Sequence, residues 1–314
     1  MNRFALVLSI LFISTNIIPC IFKSTHPTNF SISEENFLTH TFISVPREPR
    51  NIVEMALLKL TVSNWITSSN NSRVILIVNE SLFDVNRTLY NEIEKDFGPG
   101  KLIYQATLKV ERNSVPLVTS FFDGTILATP FNIITLLNGD ILVPPGWMDK
   151  VHKIFEVFGE SAFITGYRLN FDIHNYSQLV NRSFKDFDIV QYVNTCHQEN
   201  YTYRGMDFFT FLNHPDINFF ESMPPFLITQ YEWDNWLIGK MNSLYQTISL
   251  GPDCRAYHIN HVSNKTRFNQ YSAYNKRLRF MYYHPTGDNR HTKWVLQDGT
   301  HLRNSNTGAE ILIP

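Results

Sequence analysis

Asn138-Gly139-Asp140 lies between two short apolar runs, Ile133 to Leu137 and Ile141 to Val143. An acidic residue in that setting is a carboxylate at the end of a buried strand. In open α/β sheets, ligands bind outside the carboxyl ends of strands. A hard divalent cation there takes oxygen ligands and the phosphates of a nucleotide. The same tripeptide also suits a tight turn, because Asn and Gly tolerate positive φ. Tyr231-Glu232-Trp233-Asp234-Asn235-Trp236 sets two carboxylates among aromatic rings. Indole faces cover the apolar faces of sugars, and Asp234 or Glu232 could deprotonate an acceptor hydroxyl as general base. Asp234 equally suits the N-cap of a helix over Trp236 to Leu244. In His258-Ile259-Asn260-His261, a strand puts residues 258 and 260 on one face and His261 on the other. One of these histidines could complete an oxygen-rich metal site or hold a phosphate; the pair also suits a structural role.

Regular elements must position these groups. Thr41 to Val45 reads as a first strand, closed by Pro46. Asn51 can cap the helix that follows, with Ile52, Met55, Leu58, Val62, Trp65 and Ile66 on one face. Val74 to Val78 is an unbroken β-branched and apolar run, the pattern of a buried parallel strand. Leu89 to Phe97 reads as a helix ended by Gly98-Pro99-Gly100, Leu102 to Tyr104 as a weak strand, and Leu117 to Leu127 as helical. Ile133 to Leu137 is the strand that delivers Asp140. A helix over Met148 to Phe158 and a strand over Ala162 to Gly166 follow. This alternation predicts an α/β fold with a mostly parallel sheet flanked by helices. The C-terminal half is less regular, and no composition shift demands a second domain.

Of the 314 residues 43% are hydrophobic, enough for a sizeable core, and the formal net charge of -1 gives no bulk attraction to nucleic acid. HExxH, G-x-S-x-G, P-loop and G-x-G-x-x-G motifs are missing from the sequence, so zinc-protease, esterase-elbow, kinase and dinucleotide readings lack support. Arg3, the apolar run Phe4 to Ile13 and Pro19-Cys20 have the order of a secretory signal. We read 1–22 as a signal peptide or type II signal anchor, 23–40 as a short stem, 41–300 as one domain and 301–314 as a tail. Asn29, Asn70, Asn79, Asn86, Asn175, Asn181, Asn200 and Asn264 each head an N-x-S/T triplet, which fits a lumenal or secreted protein. In that compartment Cys196 and Cys254 are either one disulfide or two buried thiols.

The order of blocks carries a resemblance. Ser44-Val45-Pro46-Arg47, Ser63-Asn64-Trp65, Asn79-Glu80, Val110-Glu111-Arg112-Asn113 and Leu136-Leu137-Asn138-Gly139-Asp140 come first. Gly166-Tyr167-Arg168-Leu169-Asn170-Phe171-Asp172, Gly205-Met206-Asp207-Phe208-Phe209, Trp233-Asp234-Asn235-Trp236 and His258-x-Asn260-His261 complete it. Over roughly residues 40 to 300 this resembles a family of GT-A-type glycosyltransferase-like proteins.

The resemblance implies a nucleotide-diphospho-sugar transferase fold with a Rossmann-like sheet. It implies donor binding by Ser44, Pro46, Arg47, Asn79, Asn138, Arg168 and Asp172. Asp140 with His258 or His261 would hold Mn2+ or Mg2+. Asp207, Trp233 and Trp236 would meet the acceptor, with Asp234 or Glu232 as the catalytic carboxylate. Asn138 replaces the first acid of an Asp-x-Asp motif and removes one charge from the metal site. The expected function is metal-assisted transfer of a sugar from a nucleotide-diphosphate donor to a glycan hydroxyl in the ER or Golgi lumen. The alternative is an inactive GT-A-like domain that binds glycans or serves as a scaffold. A sugar-nucleotide pyrophosphorylase is disfavoured, because the glycine-rich signature loop is lacking.

Overall fold

The apolar runs become the buried strands of a ten-stranded sheet. The computed structural model describes residues 39–79, 83–106, 108–111, 115–127, 132–180, 182–200, 203, 205–213, 222–228, 231–260, 265–282 and 285–314. The expected signal and nearly all of the stem lie outside the described residues. In chain order the first elements are β1 (His40–Ser44), α1 (Ile52–Thr67), β2 (Ser72–Ile77), α2 (Phe83–Phe97), β3 (Leu102–Gln105), β4 (Val110–Glu111), β5 (Val115–Pro116), α3 (Ser120–Leu127), β6 (Ile133–Leu137), β7 (Ile141–Leu142), α4 (Trp147–Phe158), β8 (Ala162–Gly166) and β9 (Arg168–Asp172). The second half adds α5 (Ile189–Asn194), β10 (His197–Asn200), β11 (Phe208–Leu212), α6 (Trp233–Leu244), β12 (Gln246–Leu250), β13 (Ala256–Ile259), α7 (Lys265–Met281), β14 (Trp294–Gln297), β15 (His301–Asn304) and β16 (Glu310–Leu312).

The sheet order is β16-β15-β14-β12-β8-β11-β6-β1-β2-β3. β6, β1, β2 and β3 are mutually parallel, as are β8, β12 and β14. β11 runs antiparallel between the two groups. This is the expected α/β architecture, with helices over a large, mostly parallel sheet. β1, β6, β8 and β11 are buried along their whole length, which is why apolar residues dominate β6, β8 and β11, while the polar His40, Thr41 and Ser44 of β1 are buried with Phe42 and Ile43. From β1 the chain steps outward to β2 and β3, then returns to β6 on the other side of β1. That reversal is a topological switch point at the carboxyl ends of β1 and β6, the place where open α/β sheets keep their ligand sites.

A second sheet, β10-β9-β13-β7, was not apparent in the sequence. Its apolar face (Leu169, Phe171, Tyr257, Ile259, Leu142) packs with Ala56 and Leu60 of α1. The other side of α1 contributes Leu58, Val62, Trp65 and Ile66 to the main core. α1 is therefore covered on two sides, not on the single face expected. Asn51 caps it, its Oδ1 accepting from the Glu54 N–H at 2.9 Å.

Two expectations are corrected. Residues 301–314 are not a tail: β15 and β16 extend the sheet, and Leu302 and Ile313 are buried. The helix expected from Trp236 begins at Trp233. Cys196 and Cys254 are free thiols.

Gly239 of α6 lets the chain at Pro285 pass against the helix. A Cβ there would lie 1.4 Å from the Pro285 carbonyl oxygen. Gly239→Ala should cost about 3 kcal/mol or more through overpacking, read as a lowered denaturant midpoint. Gly100→Ala, with nothing near its Cβ but a φ of +77°, should cost about 1 kcal/mol.

Candidate functional site

Asn138-Gly139-Asp140 forms the corner where the chain leaves the main sheet for the second one. The Ile141 N–H donates to the Asn138 carbonyl at 3.2 Å, so the segment is a turn as well as a carboxylate site. Gly139 brings it against the end of β1, where an added Cβ would stand 3.2 Å from Pro46 Cα. Ser44 Oγ donates to the Leu137 carbonyl at 2.9 Å. Helix α1 pins the other side. Trp65 Nε1 donates to the Ile141 carbonyl at 2.8 Å, and the Asn64 amide exchanges two hydrogen bonds with the Val143 backbone. The Ser63-Asn64-Trp65 block thus fixes β7.

Asp140 Oδ2 lies 3.5 Å from His258 Nε2, with side chains 28% and 11% exposed. The Ile259 N–H holds the Asp140 carbonyl at 3.0 Å. Strand pairing produces this meeting, because His258 is registered opposite Ile141. His261 lies outside the described residues. A second cluster adjoins the first through Asn138. Its Nδ2 donates to Asp207 Oδ1 at 2.9 Å, its backbone N–H donates to the Asp207 carbonyl at 3.1 Å, and Arg168 Nη1 donates to Asp207 Oδ2. Arg168 and Asp207 are largely buried, so this is a charge-assisted bond shielded from water.

Asp234 stands in the first turn of α6, its Oδ1 accepting from the Asn235 N–H at 2.9 Å. Its carboxyl is pushed up to about 7. Burial is the main cause, the Asn235 hydrogen bond opposes it, and the negative charges of Asp207 and Glu232 add to it. Asp234 thus shares a field with the Asp207 cluster.

Other expected residues stand elsewhere. Glu232 Oε2 is bound to Arg279 Nη1 at 2.6 Å, and its backbone has a left-handed φ of 89°. That carboxylate is engaged in an ion pair, so the general-base role expected of Glu232 is corrected. Trp233 packs edge-on against Phe209, and Trp236 packs at a tilt against Phe226, with 5% and 0% exposed. Their faces belong to the core and offer no platform to a sugar. Asp172 accepts from Asn260 Nδ2 at 2.8 Å and pairs with His197 at 3.2 Å. It lies four residues along β9 from Arg168, a strand distance of about 13 Å, and does not join the Asp207 cluster. Ser44 is buried in its backbone contact, whereas Arg47 and Asn79 are exposed beyond the ends of β1 and β2. A cleft of about 490 Å³ opens along α1, lined by Asn51, Met55, Lys59 and Glu92 among others; none of the expected site residues lines it.

The sequence alone assigns Asn170 no role. It lies between Arg168 and Asp172 on the polar face of β9, beside His258. The alternation of Arg168, Asn170 and Asp172 with Leu169 and Phe171 is the signal that could have found it.

No family model matches the sequence, and no curated protein matches it. Solved structures similar to the chain include the mannosyltransferase PcManGT from Pyrobaculum calidifontis in complex with GDP-Man and Mn2+. It is 11% identical, with 75% of this chain and 59% of that chain covered and a TM-score of 0.41. A 4-diphosphocytidyl-2C-methyl-D-erythritol synthase from Anaerococcus prevotii is 11% identical, covering 77% and 98%, at a TM-score of 0.39. The glycosyltransferase GlyE of Streptococcus pneumoniae is 11% identical, covering 42% and 30%, at 0.29. The chain thus spans under a third of GlyE. Similarities this distant assign no function.

Because the Asp234 carboxyl is raised in the folded state, its protonated form favours folding. That contribution is whole below about pH 4 and is lost as pH rises through about 7. Asp234→Asn should therefore match the wild type in melting temperature near pH 4 and exceed it above pH 7.

Proposed function

We propose that this chain is a lumenal glycosyltransferase using a nucleotide-diphosphate sugar and a divalent cation. The observation that carries the reading is the Asp140–His258 pair at the switch-point corner. Two donors about 2.1 Å from one cation stand about 3 Å apart when adjacent in its shell, close to the 3.5 Å between Oδ2 and Nε2. Among the described residues no three His, Cys, Asp or Glu side chains form a metal-binding group. Cations that bridge nucleotide phosphates commonly take one or two protein ligands and leave the rest to phosphate and water. An imidazole donor favours manganese over magnesium. A bound cation supplies charge neutralisation on the leaving diphosphate.

The chain's own residues supply the rest. Arg47 and Asn79 stand at the strand ends where a nucleotide would lie. Arg168 fixes Asp207, and Asp207 fixes Asn138, so the corner is rigid before any ligand arrives. Asp234 is the candidate base, since a carboxyl at about 7 accepts a proton from an acceptor hydroxyl more readily than an ordinary one. The described sequon residues Asn70, Asn79, Asn175 and Asn200 are all exposed, which supports a lumenal setting.

A second reading is a glycan-binding or scaffold domain without turnover. The Asn138 amide favours it, because that position is spent on Asp207 and brings no charge to a cation. Melting curves with UDP-, GDP- and CMP-sugars, with and without Mn2+, separate the two. A ligand held at a hundred times its Kd stabilises by about 2.7 kcal/mol. The transferase reading expects a Mn2+-dependent rise in melting temperature with one donor class, abolished by Asp140→Ala. Stabilisation by free glycans with none by any sugar nucleotide would establish the second reading instead.

A further inference from the structure

Asn170 is 6% exposed, and its Oδ1 is enclosed yet accepts no hydrogen bond from the described residues. An enclosed amide oxygen without a partner forfeits its hydration. A bound ion is one of the partners such an atom can take. Its surroundings favour that partner. β9 and β13 run parallel with Asn170 registered beside His258. Leu169, Phe171, Tyr257 and Ile259 occupy the opposite, apolar face. Asn170 and His258 therefore project from the same side of the second sheet as Ile141, and on that side His258 Nε2 meets Asp140 Oδ2 at 3.5 Å. An amide oxygen is a neutral, hard donor of the kind calcium, magnesium and manganese accept.

We propose that the Asn170 side-chain oxygen is a third protein donor to the cation held by Asp140 and His258. This rests on reading that pair as the cation site. Together the three give one carboxylate, one imidazole and one amide oxygen, a set of net charge -1. The third donor offsets part of what is lost by having Asn rather than Asp at position 138. Asn138 itself is turned away to Asp207, so the amide that serves the cation comes from a different strand.

The test is Mn2+ binding to the full chain, followed by loss of the free-ion electron paramagnetic resonance signal, with no nucleotide present. Wild type should bind, Asp140→Ala should not, and Asn170→Ala should bind at least about tenfold more weakly while melting cooperatively. Asn170→Asp keeps the size and adds a charge, and should bind more tightly than wild type. If Asn170→Ala and Asn170→Asp both bind as wild type while Asp140→Ala does not, the Asn170 assignment is overturned and the pair stands. If wild type takes up no Mn2+, the cation reading of the pair falls, and this inference with it.

Discussion

The Asp207 carboxylate is the constraint on which the site depends. It precedes β11 in the main sheet, receives Arg168 from the start of β9 in the second sheet, and receives Asn138 from the end of β6. One side chain thus ties together three strands and two sheets. Its charge is matched by the Arg168 guanidinium in a setting largely closed to water, where breaking the pair leaves a buried charge poorly compensated. The same charge reaches Asp234 and contributes to keeping that carboxyl protonated near neutrality. Structural tie and chemical tuning therefore come from one group.

The environment sorts the neighbouring carboxylates into distinct tasks. Asp207 is fully paired, Glu232 is held by Arg279 at a strained backbone position, Asp140 faces a histidine, and Asp234 is pushed toward neutrality. Four chemically similar side chains thus differ in what they can do at one pH. Left-handed φ at a residue with a full side chain costs about 1–3 kcal/mol and persists where packing enforces it. The Glu232–Arg279 pair and the buried indole of Trp233 supply that enforcement next to Asp234.

Much of the main sheet was legible, because strands buried on both faces declare themselves as solid apolar runs. Ile133–Leu137 and Ala162–Gly166 match residue for residue. The second sheet was not legible. β7 is two residues long, β10 is polar and exposed, and their partners lie far away in sequence. Within the site, the resemblance offered His258 or His261 as the neighbour of Asp140, and strand pairing brings His258 to 3.5 Å from it, but the fate of the tryptophans was not legible. Trp233 and Trp236 lie near carboxylates in sequence, yet Phe209, Phe121 and Phe226 claim their ring faces in space. Sequence proximity does not tell which side of a helix a ring occupies once its first residue shifts from 236 to 233.

The corner between β6 and β7 has no slack. Three residues carry the chain from one sheet into another, and the next two, Ile141 and Leu142, enter different cores. Inserting or deleting one residue there would swap those two, sending each into the wrong core, since side chains alternate along a strand. The length of this segment is therefore far less free to change than its chemistry. Position 138 can exchange an acid for an amide at the cost of a charge, but the spacing between the strand end and Asp140 is set by the two cores on either side.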